Sequence, residues 1–539
     1  MFSRLRSTHK DEIIDPLRQH GKEFIRISTP DTLETMRVPK PSENTTSRTV
    51  WSGQIFTDWR VLMLLIIVAT CLTRFPATTV SFWGDELKTM HDASGGPIDA
   101  IRYQATQGGH PPFYYILVSL WQQISLNDVW IRTLSVVFGL FTVGIIGRIA
   151  YELCNARLAW IAASFATITH PLCWTSVEAR NYALHILMGT LAWLFLIRGL
   201  KRNKWSDWLA YSVSMALCWY SFYYGFYIAV GLGVFVLATR PAWARLLRYS
   251  LSSLLAIALY SPWIGVLSRQ MSRVDTWAER PIAPQFSIID LVRLDMRAFA
   301  LHGPWNIFGV ELSPRFGAPP TTSIFVAVLL TMIGIFIWRN RTKPGLSAYT
   351  RQWFMPVAAS SLAYIIATNY TAYAGAYAWL RYMTFAGVPF CILAALLVNE
   401  LPPRAVKTLL PIYLSLGVIM ATDRAFGRTT TPWREAVHWV ASNSSTGETI
   451  IVNNLAQHAI QYYGDSDLKG RTREWNFSEE NPILAPNFTV FTKTPWGEKS
   501  DRILDSLDRI VKGTQERRLV LTQKIESIEI RRYSSSEQE

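Results

Sequence analysis

The sequence predicts a polytopic α-helical membrane protein with a small C-terminal α/β domain. Three observations carry this expectation. Apolar runs of roughly 16 to 23 residues, the length a helix needs to cross a bilayer, crowd the chain between about Arg60 and Ala421. Lys and Arg gather in alternate connections between these runs, the pattern of loops held on the cytoplasmic side. Beyond Asp423 the long runs stop, and short strand-like and helix-like patterns alternate.

Composition agrees with that class. Of 539 residues, 50% are hydrophobic, 13% aromatic (22 of them Trp) and only 17% charged. The net charge of +14 does not mark a nucleic-acid binder, because the basic residues sit in short loops and in the N-terminal tail. Cys71, Cys154, Cys173, Cys218 and Cys391 all fall in or beside apolar runs without CxxC spacing, which argues against a disulfide framework or a zinc site.

Residues 1–58 are polar and lack the early apolar stretch of a cleaved signal peptide, so a disordered cytoplasmic tail is expected. The region 59–421 follows as the membrane domain. Its spans are read at about Arg60–Val80, Val129–Leu153, Leu158–Ser176, Tyr182–Leu200, Asp207–Tyr223 and Gly225–Thr239. Others follow at about Leu246–Ser268, Thr321–Trp338, Trp353–Tyr370, Ala378–Glu400 and Val406–Ala421, about 11 transmembrane helices in all. Pro112–Ile124 is apolar but only about 13 residues long, and is read as a helix lying at the interface. Counting it as a span would put most basic clusters outside, against the orientation rule. The N-terminus is then cytoplasmic. The first outer loop (81–129), the turn Ser176–Tyr182, the long outer loop (269–320) and the C-terminal domain (422–539) lie on the outer face, periplasmic or extracellular, as in a bacterial inner membrane.

In the C-terminal domain, helices are expected at Trp433–Ala441, Ala456–Tyr463 and Ser500–Lys512. Strands are expected at Thr449–Asn453 and near Phe488–Thr492, Arg518–Leu521 and Ile525–Arg531.

The chemistry-bearing residues gather on the outer side. Asp85 and Glu86 are adjacent carboxylates whose repulsion can raise one pKa for general-base work while the other orients a substrate or holds a divalent cation. An Asp-Glu pair is also a common solvated helix start. His110 precedes Pro111-Pro112, which fix the backbone before Tyr114, so its imidazole either serves a phosphate or sugar hydroxyl or packs on Tyr114. Glu178 and Arg180 in the second outer turn form either a structural ion pair or a substrate contact. Arg381, followed by Tyr382, is suited to bidentate capture of a phosphate, or to snorkelling beside Tyr377 and Trp379.

Asp-Glu after the first span, His-Pro-Pro-Phe-Tyr-Tyr re-entering the membrane, Glu-Ala-Arg-Asn-Tyr in the second outer turn and a late outer Arg together resemble the GT-C superfamily of integral-membrane glycosyltransferases. The protein mannosyltransferase and aminoarabinose transferase-like branch, glycosyltransferase family 39, is the nearest in pattern. The resemblance spans roughly residues 55 to 420. It implies the GT-C fold and transfer of a sugar, with inversion, from a polyprenyl-phosphate donor to a glycan, lipid or protein acceptor at the outer face of the lipid bilayer. It further implies Asp85 as base or acceptor-orienting carboxylate, Glu86 and Glu178 as acceptor or metal contacts, and His110 with Arg381 on the leaving phosphate. Tyr114, Arg180 and Tyr382 complete the candidate substrate contacts. No cofactor is called for by the motifs, and a divalent cation (Mg or Mn) on Asp85 and Glu178 is the alternative left open. Two departures stand out: Gln107-Gly108-Gly109 precede His110, and Ser221-Phe222-Tyr223 carries no His.

The competing class is a transporter or flippase of lipid-linked saccharides, which calls for ionisable residues along mid-span rather than gathered on one face. A scaffold would leave the Asp-Glu and His-Pro-Pro features without purpose.

Overall fold

The computed structural model describes residues 59–278, 346–373, 384–426, 430–452, 454–474, 488–493, 517–525 and 528–535, besides isolated positions within 334–341. The tail 1–58, most of the loop 269–320, the span Thr321–Trp338, Arg381, Tyr382 and the helix Ser500–Lys512 lie outside the described residues.

Helices dominate. α1 (Trp59–Leu72) leads into the segment 73–127, which holds α2 (Gly84–Asp92), α3 (Pro97–Thr106) and α4 (Phe113–Trp121). The expected single interfacial helix is therefore the last of three. Pro97 occupies the first turn of α3, where its missing N–H costs nothing, and this start signal lay in a stretch too polar to read as helix. α5 (Asp128–Leu153) is capped by Asn127, whose side chain accepts from the Val129 N–H. α6 (Ala156–Ile168) and α7 (His170–Thr175) replace the single span expected at Leu158–Ser176. Pro171 has no N–H to continue a helix and its ring clashes with the preceding turn, so the chain turns extended at Thr169 (φ −66°, ψ 116°) and restarts.

α8 (Tyr182–Arg202), α9 (Trp205–Ser221), α10 (Gly225–Thr239) and α11 (Trp243–Ala278) follow, then α12 (Ala348–Tyr373), α13 (Gly387–Asn399) and α14 (Pro403–Phe426). Among the described residues, four helices are long and apolar enough to cross a membrane: Arg60–Thr78, Asp128–Leu153, Tyr182–Arg202 and Trp243–Ser272. Lipid tails are as apolar as leucine, so helices in a bilayer associate through close packing rather than hydrophobic transfer. α8 shows how: it is buried on nearly every side, and a Cβ on Gly199 would stand 2.9 Å from the Trp208 ring of α9. α1 and α11 instead leave Leu64, Leu65, Leu254 and Ile257 exposed, as lipid-facing helices do.

Towards the C-terminus, α15 (Trp433–Asn443), α16 (Asn454–Tyr463) and α17 (Ser466–Arg471) accompany β1 (Thr449–Val452), β2 (Thr472–Glu474), β3 (Phe488–Lys493), β4 (Arg517–Ile525) and β5 (Ile528–Ser535). The strands form one sheet in the order β2-β1-β3-β5-β4. β1 pairs in parallel with β2 and β3, while β5 runs antiparallel to β3 and β4. β1 reads Thr-Ile-Ile-Val with the last three residues buried, as a strand covered on both faces requires.

This region locks onto the segment between α1 and α5. Tyr463 at the end of α16 accepts from the Phe82 N–H at 2.8 Å and donates to Asp128 at 2.9 Å. Arg434 of α15 pairs with the same Asp128 carboxylate, and its N–H donates to Ser81 Oγ at 3.1 Å.

Candidate active site

The site is assembled where α2, the turn 176–181 and the starts of α5 and α8 meet. Its foundation is Glu86. The carboxylate has no exposed surface and pairs with the equally buried Arg132 of α5, Arg132 Nη2 to Glu86 Oε2 at 2.6 Å and Nε to Oε1 at 2.8 Å. Glu86 also accepts the Ala179 N–H at 2.8 Å and the Trp83 N–H at 3.1 Å, the second being half of a capping box at the start of α2. Arg132 spends its remaining donors on the carbonyls of Thr78, Val80 and Ser81 and lies 4.6 Å from the Phe82 ring centroid. One ion pair thus ties α2, α5, the turn 176–181 and the segment before α2 together. Glu86, expected as an acceptor or metal contact, here has its oxygens turned inward and engaged. Arg132, a charge inside an apolar helix, is its partner.

Asp85 points the other way. Its side chain keeps 38% of its surface, with Oδ2 3.8 Å from Arg180 Nη2. Arg180 is buried beside it and donates to the Asp85 carbonyl at 3.2 Å, to Thr89 Oγ1 at 2.9 Å and to His110 Nε2 at 3.2 Å. A guanidinium has no acceptor, so His110 Nε2 must offer its lone pair, which assigns the ring proton to Nδ1 and leaves the imidazole neutral. In this arrangement His110 supports Arg180 rather than donating through Nε2 to a phosphate. The ring lies between Tyr115 (6.4 Å) and Phe222 (5.9 Å).

Glu178 is buried in the turn before Arg180. Tyr114, also buried, shares a 3.3 Å hydrogen bond with Ser135 of α5. Burial pushes the Tyr114 hydroxyl above its ordinary range; the charges of Glu86 and Glu178 push it further, while Ser135 and Arg180 oppose. Glu86, Arg180 and Glu178 therefore all act on one hydroxyl. Arg381 and Tyr382 lie outside the described residues.

The loop before His110 is held from two directions. Gln104 donates to Asp92 at 3.1 Å, and its Oε1 accepts the His110 N–H at 3.4 Å. A Cβ on Gly108 would fall 2.0 Å from that same Oε1, so only glycine fits there. Gln270 of α11 donates to the carbonyls of Gln104 (2.7 Å) and Gly108 (3.0 Å). Burial works to raise the Asp92 carboxyl, but the His91 hydrogen bond, the Lys88 charge and the Gln104 amide outweigh it and hold it below the usual carboxylate range.

A divalent cation fits poorly with what surrounds Asp85. A guanidinium stands 3.8 Å from its carboxylate, and no group of three or more His, Cys, Asp or Glu placed to hold a metal ion occurs among the described residues.

Residues 109–265 match the family model described as dolichyl-phosphate-mannose-protein mannosyltransferase. The fold is similar to that of ArnT from Cupriavidus metallidurans in the apo state, with a TM-score of 0.59 at 12% identity, covering 88% of this chain and 97% of that one. ArnT from the same organism bound to undecaprenyl phosphate gives a TM-score of 0.54 at 13% identity over 88% of this chain and 98% of that one. No curated protein sequence matches the chain significantly. The fold is thus similar to that of ArnT, and the segment 109–265 is similar to the protein mannosyltransferase family.

Proposed function

We propose that this chain transfers a sugar from a polyprenyl-phosphate donor to a hydroxyl-bearing acceptor at the membrane face where α5 and α8 begin, inverting the anomeric centre. The observation that carries this is the Asp85–Arg180–His110 cluster: a half-exposed carboxylate beside a buried guanidinium, held at the mouth of two membrane-spanning helices. The bound undecaprenyl phosphate of the ArnT structure supports the donor class.

In this reading Asp85 takes the proton from the acceptor hydroxyl as the acceptor oxygen forms a bond to the anomeric carbon. The bond from that carbon to the phosphate oxygen breaks, its electron pair leaves with the phosphate, and Arg180 stabilises the developing charge. Phosphate is already a good leaving group, so positioning and one cation account for most of what the site must supply. Glu86 is a positioning residue that sets α2, and through it Asp85. Residues 1–58 are the cytoplasmic tail, 59–421 the catalytic domain and 422–539 a domain on the outer face. The transporter alternative gains no support from the family match or the fold.

The test is transfer from a polyprenyl-phosphate sugar by purified protein. Asp85→Asn protein that transfers as fast as the unaltered enzyme would remove Asp85 from the base role; unaltered protein inert with every such donor would end the reading.

A further inference from the structure

α5 and α8 carry the Asp85 cluster at their starts, and a second charged cluster closes their other ends. There Glu152 Oε1 accepts from three guanidiniums: Arg148 at 2.9 Å, Arg198 at 3.1 Å and Arg202 at 2.6 Å. Lys201 donates to the Glu152 carbonyl and lies 5.5 Å from the Trp353 ring centroid. Glu152 is nearly buried, whereas Arg148 and Arg202 keep 42% and 41% of their side-chain surface.

Charge balance decides what this cluster lacks. Four cations face the Glu152 carboxylate; Glu400 and Arg157, which act with opposite charge on the neighbouring Cys154, cancel; and the C-termini of α5 and α8 together contribute roughly one further negative charge. About two positive charges stay uncompensated, with outward guanidinium donors to spare, since each Arg has five N–H groups and shares one oxygen with two others. The level is also fixed. α5 has 26 residues and α8 has 21, and both read as membrane spans ending here, so the cluster lies about 30 to 40 Å from the Asp85 end, at the opposite headgroup layer. Basic clusters between spanning helices at that depth match anionic lipid headgroups, and guanidiniums match their phosphates bidentately.

We infer that Arg148, Arg198, Lys201 and Arg202, gathered on Glu152, bind the phosphate of an anionic phospholipid in the leaflet opposite the candidate active site. The occupant is a structural lipid distinct from the sugar donor, and nothing in the inference depends on which sugar is moved.

The experiment uses full-length protein in nanodiscs of phosphatidylcholine alone or with phosphatidylglycerol, following thermal unfolding by tryptophan fluorescence and retained lipid by mass spectrometry. The expected result is a higher Tm and retained phosphatidylglycerol for the unaltered protein. In Arg148→Gln/Arg202→Gln protein, which keeps the Arg198–Glu152 pair, both should be lost, with lipid binding down roughly 30-fold for two basic contacts removed. A second variant, Arg102→Gln/Arg473→Gln, removes two exposed cations elsewhere and should behave as unaltered. Equal Tm in both lipid mixtures, an undiminished response in the first variant, or the same shift from inorganic phosphate in pure phosphatidylcholine would each overturn the assignment.

Discussion

Glu86 and Arg132 meet at 2.6 Å with neither side chain exposed. Such a pair contributes little over an apolar replacement, but losing one partner strands a buried charge. Arg132→Met should therefore lower stability by about 3 to 5 kcal/mol. Glu86→Gln/Arg132→Met should recover part of that loss, because no unpaired charge is left behind. Chemical or thermal unfolding in detergent would check both.

Asp85 stands beside Glu86 in sequence and opposite to it in consequence. Asp85→Asn should leave the unfolding midpoint nearly unchanged, since the side chain is half-exposed, while transfer falls on the order of 10²- to 10⁴-fold, as loss of a general base does. Rate and stability measured on one preparation would separate the two effects.

Arg180 uses several donors in different directions, which an ammonium cannot match. Arg180→Lys should lower kcat on the order of 10²-fold or more with a smaller change in KM. Because His110 Nε2 accepts from Arg180, His110→Gln, which keeps an acceptor, should retain more transfer than His110→Ala. Equal loss in the two would show that the Arg180 contact is not what His110 contributes.

His458 of α16 packs 4.6 Å from the His91 ring of α2. Burial first, then the charges of His91 and Lys88, pull its pKa from 6.5 down to about 4. The folded state thus keeps His458 neutral where the unfolded chain would protonate it. The stability from this contact is complete above pH 6.5 and is withdrawn as pH falls towards 4. Hydrogen exchange across 454–463 should speed up over that window, and His458→Gln should remove this pH dependence.

Much of this arrangement was legible in the residues, because apolar periodicity reports helices and the unusual motifs flank them. The strand pattern of Thr449–Val452 and the helices at Trp433 and Asn454 were readable for the same reason. Pairing partners were not. Arg132 sits 46 residues from Glu86, and one Arg near the end of an apolar span reads equally well as a snorkelling side chain. The inward turn of Glu86 and outward turn of Asp85 follow from the helical rotation of α2, which a nine-residue helix in a polar loop did not announce. Gly108 looked like a departure from pattern, yet the space it leaves is filled by Gln104. β2 spans only three residues, too few for alternation to register.

Tyr463 receives the Phe82 N–H across 381 residues of chain. At the ordinary pace of translation that stretch takes roughly 20 to 75 s to make. The backbone leading into Asp85 therefore waits, already inserted, for a side chain still on the ribosome. A nascent chain halted before residue 463 lacks this brace on the segment that leads into Asp85.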